Sequence, residues 1–484
     1  MISTSTTSSD INTNFLSAAP AADSPSAMAT TSAIFLALFF LVFTFRYLRT
    51  VVSMYSWNTY KPKAILKNPT YTSGDVSVII PTTFKHPEEL LACIRGILRC
   101  DPAKIFIVTA DANCDRVKEL LGLHSVGPKV EVLGVAKLNK RDQILRALPH
   151  ITTDLITLAD DDVFWPGADY LDHVLAIFED STVGAGGTRQ RVKREENPGF
   201  WNILGISYLE RRVWNNCATN AMDGSLSTLS GRTATYRSVI LQDPRFQHYF
   251  KNDMWRGKPL NSDDDKCLTR YVYSHGWKIV LQFAPEATLE TTVENDKGYL
   301  SQCMRWARAH WRGNFTVMEN ESYWLPSGHW WGFYYIYLGQ FQTPALLWEG
   351  LLFGLLSMAL RNASSTAASH AYAALCAWIF FTKNLKMIPY FLRHPADMKW
   401  IPVLVAFSYF HGLMNVYAAF SMQQTQWGGK DLKTLEKSRA EPGGVVPLLH
   451  DTMEKADGYH EPTPGNPMGG DDYFRSTTAD KKDD

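Results

Sequence analysis

Hydrophobic residues are spread unevenly along this chain, in long runs near both ends and in short runs between them. Every residue from Ala33 to Phe45 except Thr44 is apolar, and with its flanks the segment 29–52 reaches the ~20 residues that span a bilayer. Basic residues are missing before this segment and frequent after it, which predicts an external N-terminus and a cytosolic continuation. A cleaved signal peptide is the alternative, but the charged region that begins such peptides is missing here.

The middle of the chain alternates between strand-like and helix-like patterns. Val76–Ile80 is a continuous apolar run, and a helix with apolar residues on one face follows from Pro87. Two more apolar runs, Ile105–Thr109 and Leu155–Leu158, are each followed by aspartate. Such alternation is typical of an open parallel sheet that binds ligands at the carboxyl ends of its strands. We therefore predict a cytosolic α/β domain over 75–302.

The chain becomes apolar again after about residue 330, and we predict a membrane region over 335–426. The expected spans are roughly 335–360, 366–382 and 400–422. The aromatic and basic stretch 303–335 is typical of interfacial helices on a membrane surface. Basic residues between the last two spans place that connector in the cytosol. A third full span would leave the residues after 426 outside. We favour a last span that is partly re-entrant or interfacial; the alternative is a full span, with any likeness of Trp427 to a cytosolic site residue accidental.

Composition narrows the class of protein. The 484 residues carry 48 basic and 48 acidic side chains, and this balance argues against a nucleic-acid partner. The seven cysteines are scattered, with no CxxC pair or Cys/His cluster, so neither a disulfide framework nor a zinc site is predicted. Residues 1–28 and 431–484 have compositions that do not form a packed core, and both segments are predicted to be disordered.

The strongest chemical signal is a triplet of acids, Asp160, Asp161 and Asp162, directly after an apolar run. Adjacent carboxylates repel one another and are costly to bury unless a cation is present. Oxygen ligands suit Mg²⁺ or Mn²⁺, and a diphosphate completes the coordination shell. Side chains alternate along an extended backbone, so Asp160 and Asp162 can face one ion while Asp161 points away. A solvated acidic loop is the alternative interpretation.

Two further clusters contain residue types that are suited to catalysis or substrate binding. Asp263–Asp265 precedes a helical pattern, and one of these carboxylates is a candidate general base for an acceptor hydroxyl. The alternative is an ordinary helix start, where the helix dipole favours acids. Gln302, Arg305 and Trp306 share one side of a helix, where arginine can hold a diphosphate and tryptophan can stack on a sugar. An interfacial helix with basic and aromatic anchors is compatible with that role.

The three clusters, in this order and between these hydrophobic segments, resemble the processive family 2 glycosyltransferases. These include hyaluronan, chitin and chitooligosaccharide synthases and fungal polysaccharide synthases of the same type. The resemblance covers about 75–430 and implies a GT-A fold, a Rossmann-like α/β domain joined to transmembrane and interfacial helices. It also implies inverting transfer from a UDP-sugar to a growing glycan, with Mg²⁺ or Mn²⁺ as cofactor. The lipid bilayer is the implied partner, and a multi-pass protein of the plasma membrane, or else the Golgi, is expected.

The resemblance also assigns roles to individual positions. Nucleotide-sugar binding is implied for Pro81, Thr82, Asp111, Lys140, Arg141, Asp160, Arg305, Trp427 and Lys430. Metal binding is implied for Asp162 and Asp160, with Asp162 as the more direct ligand. Catalysis is implied for Asp265 as the general base, beside Asp264. Acceptor binding is implied for Gln302, Trp306, Tyr236 and Arg237.

Some positions depart from the family pattern. Asp263 stands where the family has glycine, which adds a charge beside the implied base. Lys266 and Lys430 stand where the family has arginine, and both lose a planar fork of donors. The acid pair, the base and the Gln-x-x-Arg-Trp segment are kept, so we expect activity, whereas the sugar is not implied.

Two other functions remain open at this stage. One is a non-processive transferase that glycosylates a lipid such as ceramide or a polyprenyl phosphate. The other is an inactive membrane scaffold with the same fold. Independently of these functions, Asn362 begins a glycosylation sequon in the predicted external loop, so its glycosylation would report the membrane topology.

Overall fold

The computed structural model of the protein describes residues 25–319 and 328–425. The helices are α1 Pro25–Thr59, α2 Pro87–Leu98, α3 Cys114–Leu123, α4 Lys140–Ala147, α5 Tyr170–Leu175, α6 Phe200–Asp223, α7 Ser238–Leu241, α8 Pro244–Lys251, α9 Asp264–Ser274, α10 Gly298–Met318, α11 Trp330–Gly332, α12 Ala345–Ala359, α13 Ser365–Asn384, α14 Ile388–Arg393 and α15 Ile401–Phe420. The strands are β1 Val76–Pro81, β2 Lys104–Ala110, β3 Val130–Val135, β4 Leu155–Ala159, β5 Val163–Phe164, β6 Val183–Thr188, β7 Gln190–Val192, β8 Thr233–Arg237, β9 Met254–Trp255, β10 Lys258–Pro259, β11 Lys278–Gln282 and β12 Leu289–Thr291. The tail 431–484, the N-terminal segment before Pro25, and both Trp427 and Lys430 lie outside the described residues.

A seven-stranded sheet forms the centre of the soluble domain, in the order β11-β6-β8-β4-β1-β2-β3. β1 is parallel to β2 and β4, and β2 is parallel to β3, which confirms the predicted parallel core. β8 differs, because it runs antiparallel to both β4 and β6. This reversal brings the start of β8 to the edge where β1, β2 and β4 end.

The apolar runs of these strands supply two cores, one on each face of the sheet. Along β1, Ile79 packs into one cluster while Val78 and Ile80 pack into the other. This alternation follows from the two-residue period of a strand. Both faces are covered, and the polar residues that follow the strands are left at the edge.

The membrane-related helices differ in part from expectation. Within the described ranges, two helical segments are long and apolar enough to cross a membrane, Ala29–Thr59 and Pro395–Phe420. The span expected at 335–360 is a shorter apolar helix, α12, preceded by a π-helical turn at Phe333–Leu338. A helix, α13, occupies the span expected at 366–382, but it is not one of the two segments that are apolar enough to cross a membrane.

One buried carboxylate joins four of these helices. Glu349 of α12 lies 3.2 Å from Arg46 of α1 and 2.9 Å from Lys383 of α13. It also accepts a hydrogen bond of 2.6 Å from the hydroxyl of Tyr409 in α15. Because a buried charge is costly without partners, this network fixes how the four helices pack together.

The last helix returns the chain to the soluble domain. The indole Nε1 of Trp311 in α10 donates to the backbone oxygen of Asn415 in α15. Arg308 of α10 then contacts Ser421, just after α15 ends. The end of α15 therefore lies against α10 of the soluble domain.

Candidate functional site

The three acids after β4 face three different neighbours. Lys140 holds Asp160, with 2.6 Å between Nζ and Oδ1. The hydroxyl of Thr82 donates to Asp161 at 2.5 Å, and that of Thr292 donates to Asp162 at 3.1 Å. Asp161 therefore turns toward the end of β1, away from the side chains of its two neighbours. This fits the expectation that Asp160 and Asp162 share a function.

Lys140 connects the first acidic cluster to the second. Its ammonium lies 2.6 Å from Asp160 and 3.3 Å from Asp264. The residue is placed by Asn139, whose side chain caps the first turn of α4 by accepting from the backbone N–H of Arg141. Clusters more than 100 residues apart in the sequence thus meet at one cation, as the sequence predicted.

The turn before α9 explains one departure from the family pattern. Asp263 has a φ of +64°, the left-handed region that glycine adopts without cost and aspartate tolerates. Its carboxylate forms a two-pronged ion pair with Arg312 of α10, at 2.9 Å and 3.0 Å. Both side chains are almost fully buried, 3% and 2% exposed. The extra charge is therefore neutralised, and it ties α9 to α10 beside the implied base.

The site carboxylates differ in their electrostatics. Burial, and after it the charge of Asp160, raise the pKa of Asp162 to about 7. Burial raises the pKa of Asp265 too, with Asp264 as the second cause. Burial acts in the same direction on Asp264, but the nearby Lys140 and Arg141 outweigh it and lower the pKa of Asp264. Two adjacent carboxyls are thus driven apart, one toward the ionised form and one toward the protonated form.

The residues present fit a divalent ion that a ligand helps to coordinate. Asp160 and Asp162 are close enough that the charge of Asp160 helps to raise the pKa of Asp162, and a bound cation would relieve this repulsion. No group of three or more His, Cys, Asp or Glu side chains that could close a metal site occurs among the described residues. One or two carboxylates plus substrate phosphates is the usual arrangement for Mg²⁺.

Gly231 packs the clusters together. A Cβ atom added to it would lie 3.2 Å from the Lys140 ammonium and 3.5 Å from the Cβ of Asp265. The backbone oxygen of the next residue, Arg232, accepts from the backbone N–H of Asp160 at 2.8 Å. The loop that opens β8 therefore lies between the two acidic clusters, where a side chain at Gly231 would intrude.

The third predicted cluster, on α10, reaches the same place. The guanidinium of Arg232 lies 5.3 Å from the ring centre of Trp306, and the ring of Tyr208 in α6 stacks on Trp306 at 4.9 Å. Gln302, one helical turn earlier, has a buried Oε1 without a hydrogen-bond partner among the described residues. Arg305, on the same helix, is half-buried. Asp162, Asp265 and Trp306 are therefore neighbours of a single loop, 231–232.

The remaining nucleotide-side residues lie at the predicted edge. Pro81 and Thr82 end β1 and are buried, and the Thr82 hydroxyl is engaged with Asp161. Asp111 follows β2 and is exposed, with its carboxylate lying against Gly134 of β3. Asp111 is thus open to a ligand at the carboxyl edge of the sheet.

Arg141 does not line the site. Its side chain is 0% exposed and pairs with Asp253 at 3.0 Å. It also donates to the backbone oxygen of Ser262, just before the second acidic cluster. Adjacent helical residues point in different directions, so Lys140 and Arg141 cannot both face the ligand. The structure makes Arg141 a support of the turn rather than a contact of the nucleotide.

Tyr236 and Arg237 are both engaged within the protein rather than open to an acceptor. Tyr236 is wholly buried in the core under the sheet. Arg237 pairs with Leu155, the first residue of β4, at the opposite end from Asp160. Its guanidinium donates to the backbone oxygens of Val183 and Phe178. The reversed β8 thus carries Arg237 away from the site, whereas Tyr236 lies below it: burial, and after it the charges of Asp265 and Asp264, raise its pKa.

Four residues of the site were not assigned from the sequence. They are Tyr208, Gly231, Arg232 and Arg312. Gly231 and Arg232 lie just before Tyr236 and Arg237, and acceptor binding was assigned to those later residues instead. Tyr208 is one of many aromatics in α6, and Arg312 lies in a basic stretch typical of a membrane surface, so neither carried a distinct signal.

Asn362 lies in the loop between α12 and α13 and is exposed. Its side-chain amide contacts the hydroxyl of Ser32, near the start of α1, at 3.4 Å. The loop and the start of α1 are therefore at the same end of the helix group, as the expected topology requires.

Comparison with known proteins agrees with this geometry. A family model described as glycosyltransferase like family 2 matches residues 73–309. A type 2 glycosyltransferase of Zymoseptoria tritici is 42% identical over 395 residues, which cover 81% of this chain and 83% of that protein. A hyaluronan synthase of Streptococcus pyogenes is 22% identical over 379 residues, covering 75% of this chain and 84% of that protein. A mannosyltransferase of Pyrobaculum calidifontis, solved with GDP-Man and Mn²⁺, aligns with a TM-score of 0.50 at 16% identity, covering 83% of this chain and 100% of that one.

Proposed function

This chain belongs to the type 2 glycosyltransferases and has a GT-A-like fold, and on that premise we propose that it is a metal-dependent, inverting enzyme that extends a glycan from a UDP-sugar. The observation that supports this most directly is the Lys140 ammonium, which joins Asp160 of the first acidic cluster to Asp264 of the second. A donor site and a base are thereby held side by side.

Asp265 is the proposed general base. It accepts the proton of an acceptor hydroxyl while that oxygen bonds to the anomeric carbon and the bond from that carbon to the diphosphate breaks. A base works best when its pKa lies near the working pH. Lys140 favours the ionised form of Asp264, and the charge of Asp264, added to burial, raises the pKa of Asp265. The pair therefore makes Asp265 a stronger base than an exposed aspartate.

Asp160 and Asp162 are the residues that would hold Mg²⁺ or Mn²⁺. When bound, such an ion neutralises negative charge on the diphosphate oxygens. Arg305 is the proposed further cation for the leaving group. Pro81, Thr82 and Asp111 form the floor on which the nucleotide is expected to lie.

The acceptor is expected to bind along α10. The unpartnered Oε1 of Gln302 is a buried acceptor in need of a donor, and sugar hydroxyls are donors. Trp306 and Tyr208 offer aromatic surface beside it. We further propose that the helices joined at Glu349 hold the enzyme in the plasma membrane as a multi-pass protein and assist export of the product.

The test compares purified wild-type enzyme with Asp162→Asn and Asp265→Asn in the presence of Mn²⁺ and radiolabelled UDP-sugars. Asp265→Asn should lose about 10²–10⁴-fold in rate but still bind UDP, because the base acts only in the chemical step. Asp162→Asn should lose metal-dependent UDP binding itself. Asp115→Asn, which changes an exposed carboxylate on α3, is the matched control.

Product size tests the acceptor. A long ladder of products supports polymer synthesis, and a single lipid-linked product means transfer to a lipid instead. Elongation by Asp265→Asn at the wild-type rate contradicts the assignment of the base. Turnover that a chelator leaves unchanged contradicts the metal requirement.

A further inference from the structure

Arg232 is a buried cation near Asp162 and Asp160, whose charges favour its ionised form. The residue is 8% exposed, yet its guanidinium makes no hydrogen bond or ion pair with any residue in 25–319 or 328–425. Other buried arginines of this domain are compensated, since Arg141 and Arg270 share Asp253 and Arg312 pairs with Asp263. A buried guanidinium without a direct hydrogen-bonding partner is costly, so its presence points to a ligand.

The position of Arg232 is that of a substrate contact. It follows Gly231, which packs against Lys140 and Asp265, and its own backbone oxygen binds the backbone N–H of Asp160. Its guanidinium lies over the ring of Trp306 at 5.3 Å. The side chain is thus within the site, next to the metal-side acids and the acceptor-side helix at once.

A second guanidinium lies near Arg232. Arg212 of α6 likewise has no ion pair within the described part of the chain. Burial, and then the charge of Arg212, lower the pKa of Arg232. Arg212 and Ser230 also line a small cavity of about 20 Å³ under this loop, room for about one water molecule. A divalent ion at Asp160 and Asp162 would add further positive charge, which an anion can offset.

We propose that Arg232, with Arg212 beside it, binds an oxyanion of the substrate between the aspartates and Trp306. The planar fork of arginine matches the paired oxygens of a carboxylate or a phosphate, and such charged hydrogen bonds are strong when water is excluded. The oxyanion is either the diphosphate of the donor or a carboxylate on the transferred sugar. This subsite rests on the proposed function and adds a substrate contact to it.

The test measures dissociation constants of the full-length protein with Mn²⁺ for three probes: UDP, UDP-N-acetylglucosamine and UDP-glucuronic acid. Arg232→Gln should weaken binding about tenfold to hundredfold, as expected for loss of hydrogen bonds to a charged group. Arg232→Lys keeps the charge but not the fork and should lie between. Arg95→Gln, an exposed arginine on α2, is the control for loss of positive charge.

The pattern across the probes identifies the oxyanion. Equal weakening for all three supports the diphosphate, and weakening confined to UDP-glucuronic acid supports a sugar carboxylate. Unchanged affinity of Arg232→Gln for all three overturns the subsite. A folded wild-type protein that binds none of them overturns the proposed function and the subsite together.

Thermal unfolding separates a binding role from a structural one. Because Arg232 is buried without a partner, Arg232→Gln should melt no lower than the Arg95→Gln control. A lower melting temperature with wild-type affinity would mean that Arg232 serves the fold, and the proposal would fall.

Discussion

Neighbouring carboxylates at this site ionise differently because their surroundings differ. Asp264 faces the Lys140 ammonium, and its pKa is lowered despite burial. Asp265, the next residue, lacks that contact, and its pKa is raised by burial and by Asp264. Burial, and after it the charge of Asp160, raise the pKa of Asp162 to about 7. The sequence shows acids in rows, but the position of Lys140 decides which of the two adjacent carboxyls, Asp264 and Asp265, has its pKa lowered.

Metal binding should therefore depend on pH in a range where ordinary aspartates do not titrate. A proton and the ion compete for Asp162, and its raised pKa means that the proton wins below about pH 7. We expect the affinity for Mn²⁺ in the presence of UDP to fall about tenfold per pH unit below 7. Calorimetric titration from pH 5.5 to 8 measures this.

The control for that experiment is Asp162→Asn, which should show little metal-dependent UDP binding at any of these pH values. A wild-type affinity that stays flat down to pH 5.5 would contradict the raised pKa. It would show instead that Asp162 titrates like an exposed carboxyl.

At the level of residues, the sequence was enough to find the clusters of charged side chains, but not to predict the direction in which each side chain points. The acid rows and Lys140 were found because clustered charges need a common partner. Arg141 was assigned with Lys140 because the two are adjacent, yet a helix turns about 100° per residue and sends only one of them to the site. Arg232 was overlooked because only the structure shows that it has no partner.

Helices and strands are positioned by buried ion pairs as well as by apolar packing. Glu210 of α6 binds Arg393 of α14 at 2.5 Å, and Arg194, after β7, binds Asp397 at 2.9 Å. These pairs attach the segment between α13 and α15 to the soluble domain. Arg393 and Asp397 thus supply the charged partners of that attachment.

Glu349→Gln tests the corresponding joint among the membrane-related helices. The change would leave Arg46 and Lys383 buried beside an amide, and loss of one member of a buried ion network costs about 3–5 kcal/mol. The expected result is a clearly lower unfolding midpoint in detergent, measured by thermal denaturation. Glu286→Gln, at an exposed position, is the matched control. Equal midpoints for the two variants would contradict a stabilising role.

The sequence patterns predicted which strands and helices are present better than they predicted the direction of a strand or the length of a helix. β1, β2 and β4 were expected because each is a continuous apolar run. β8 was not, because its residues mix polar and apolar types and its reversal depends on pairing with β4 and β6. At ~3.3 Å per residue, that reversal carries Arg237 roughly 17 Å from Arg232. The π-helical turn that shortens the span before α12 is likewise set by tertiary packing.

At the scale of the whole molecule, α10 lies between the site and the last membrane-related helix, α15. α10 carries Gln302 and Trp306 on the site side and Trp311 on the side of α15. The family and the fold are established, and the orientation that we propose for the membrane rests on the basic residues after α1 and on the position of the Asn362 loop.

Asn362 provides a test of that orientation. If the start of α1 is external, the loop that contacts Ser32 is external too, and its sequon is open to the glycosylation machinery. We expect the protein expressed in a eukaryotic host to lose mass on treatment with an N-glycosidase. Asn362→Gln should abolish the shift. A cysteine at position 362 that reacts only after the membrane is permeabilised would contradict an external loop.

Arg312 binds two separate segments at once, and this has a consequence for how the enzyme responds to lipid. One guanidinium holds Asp263, which starts the helix of the proposed base, and the backbone oxygens of Met422 and Gln424, which follow α15. A bilayer too thin or too thick for α15 would tilt that helix and pull on the same guanidinium. Hydrophobic mismatch would then reach the catalytic turn directly, so acyl-chain length becomes a determinant of turnover.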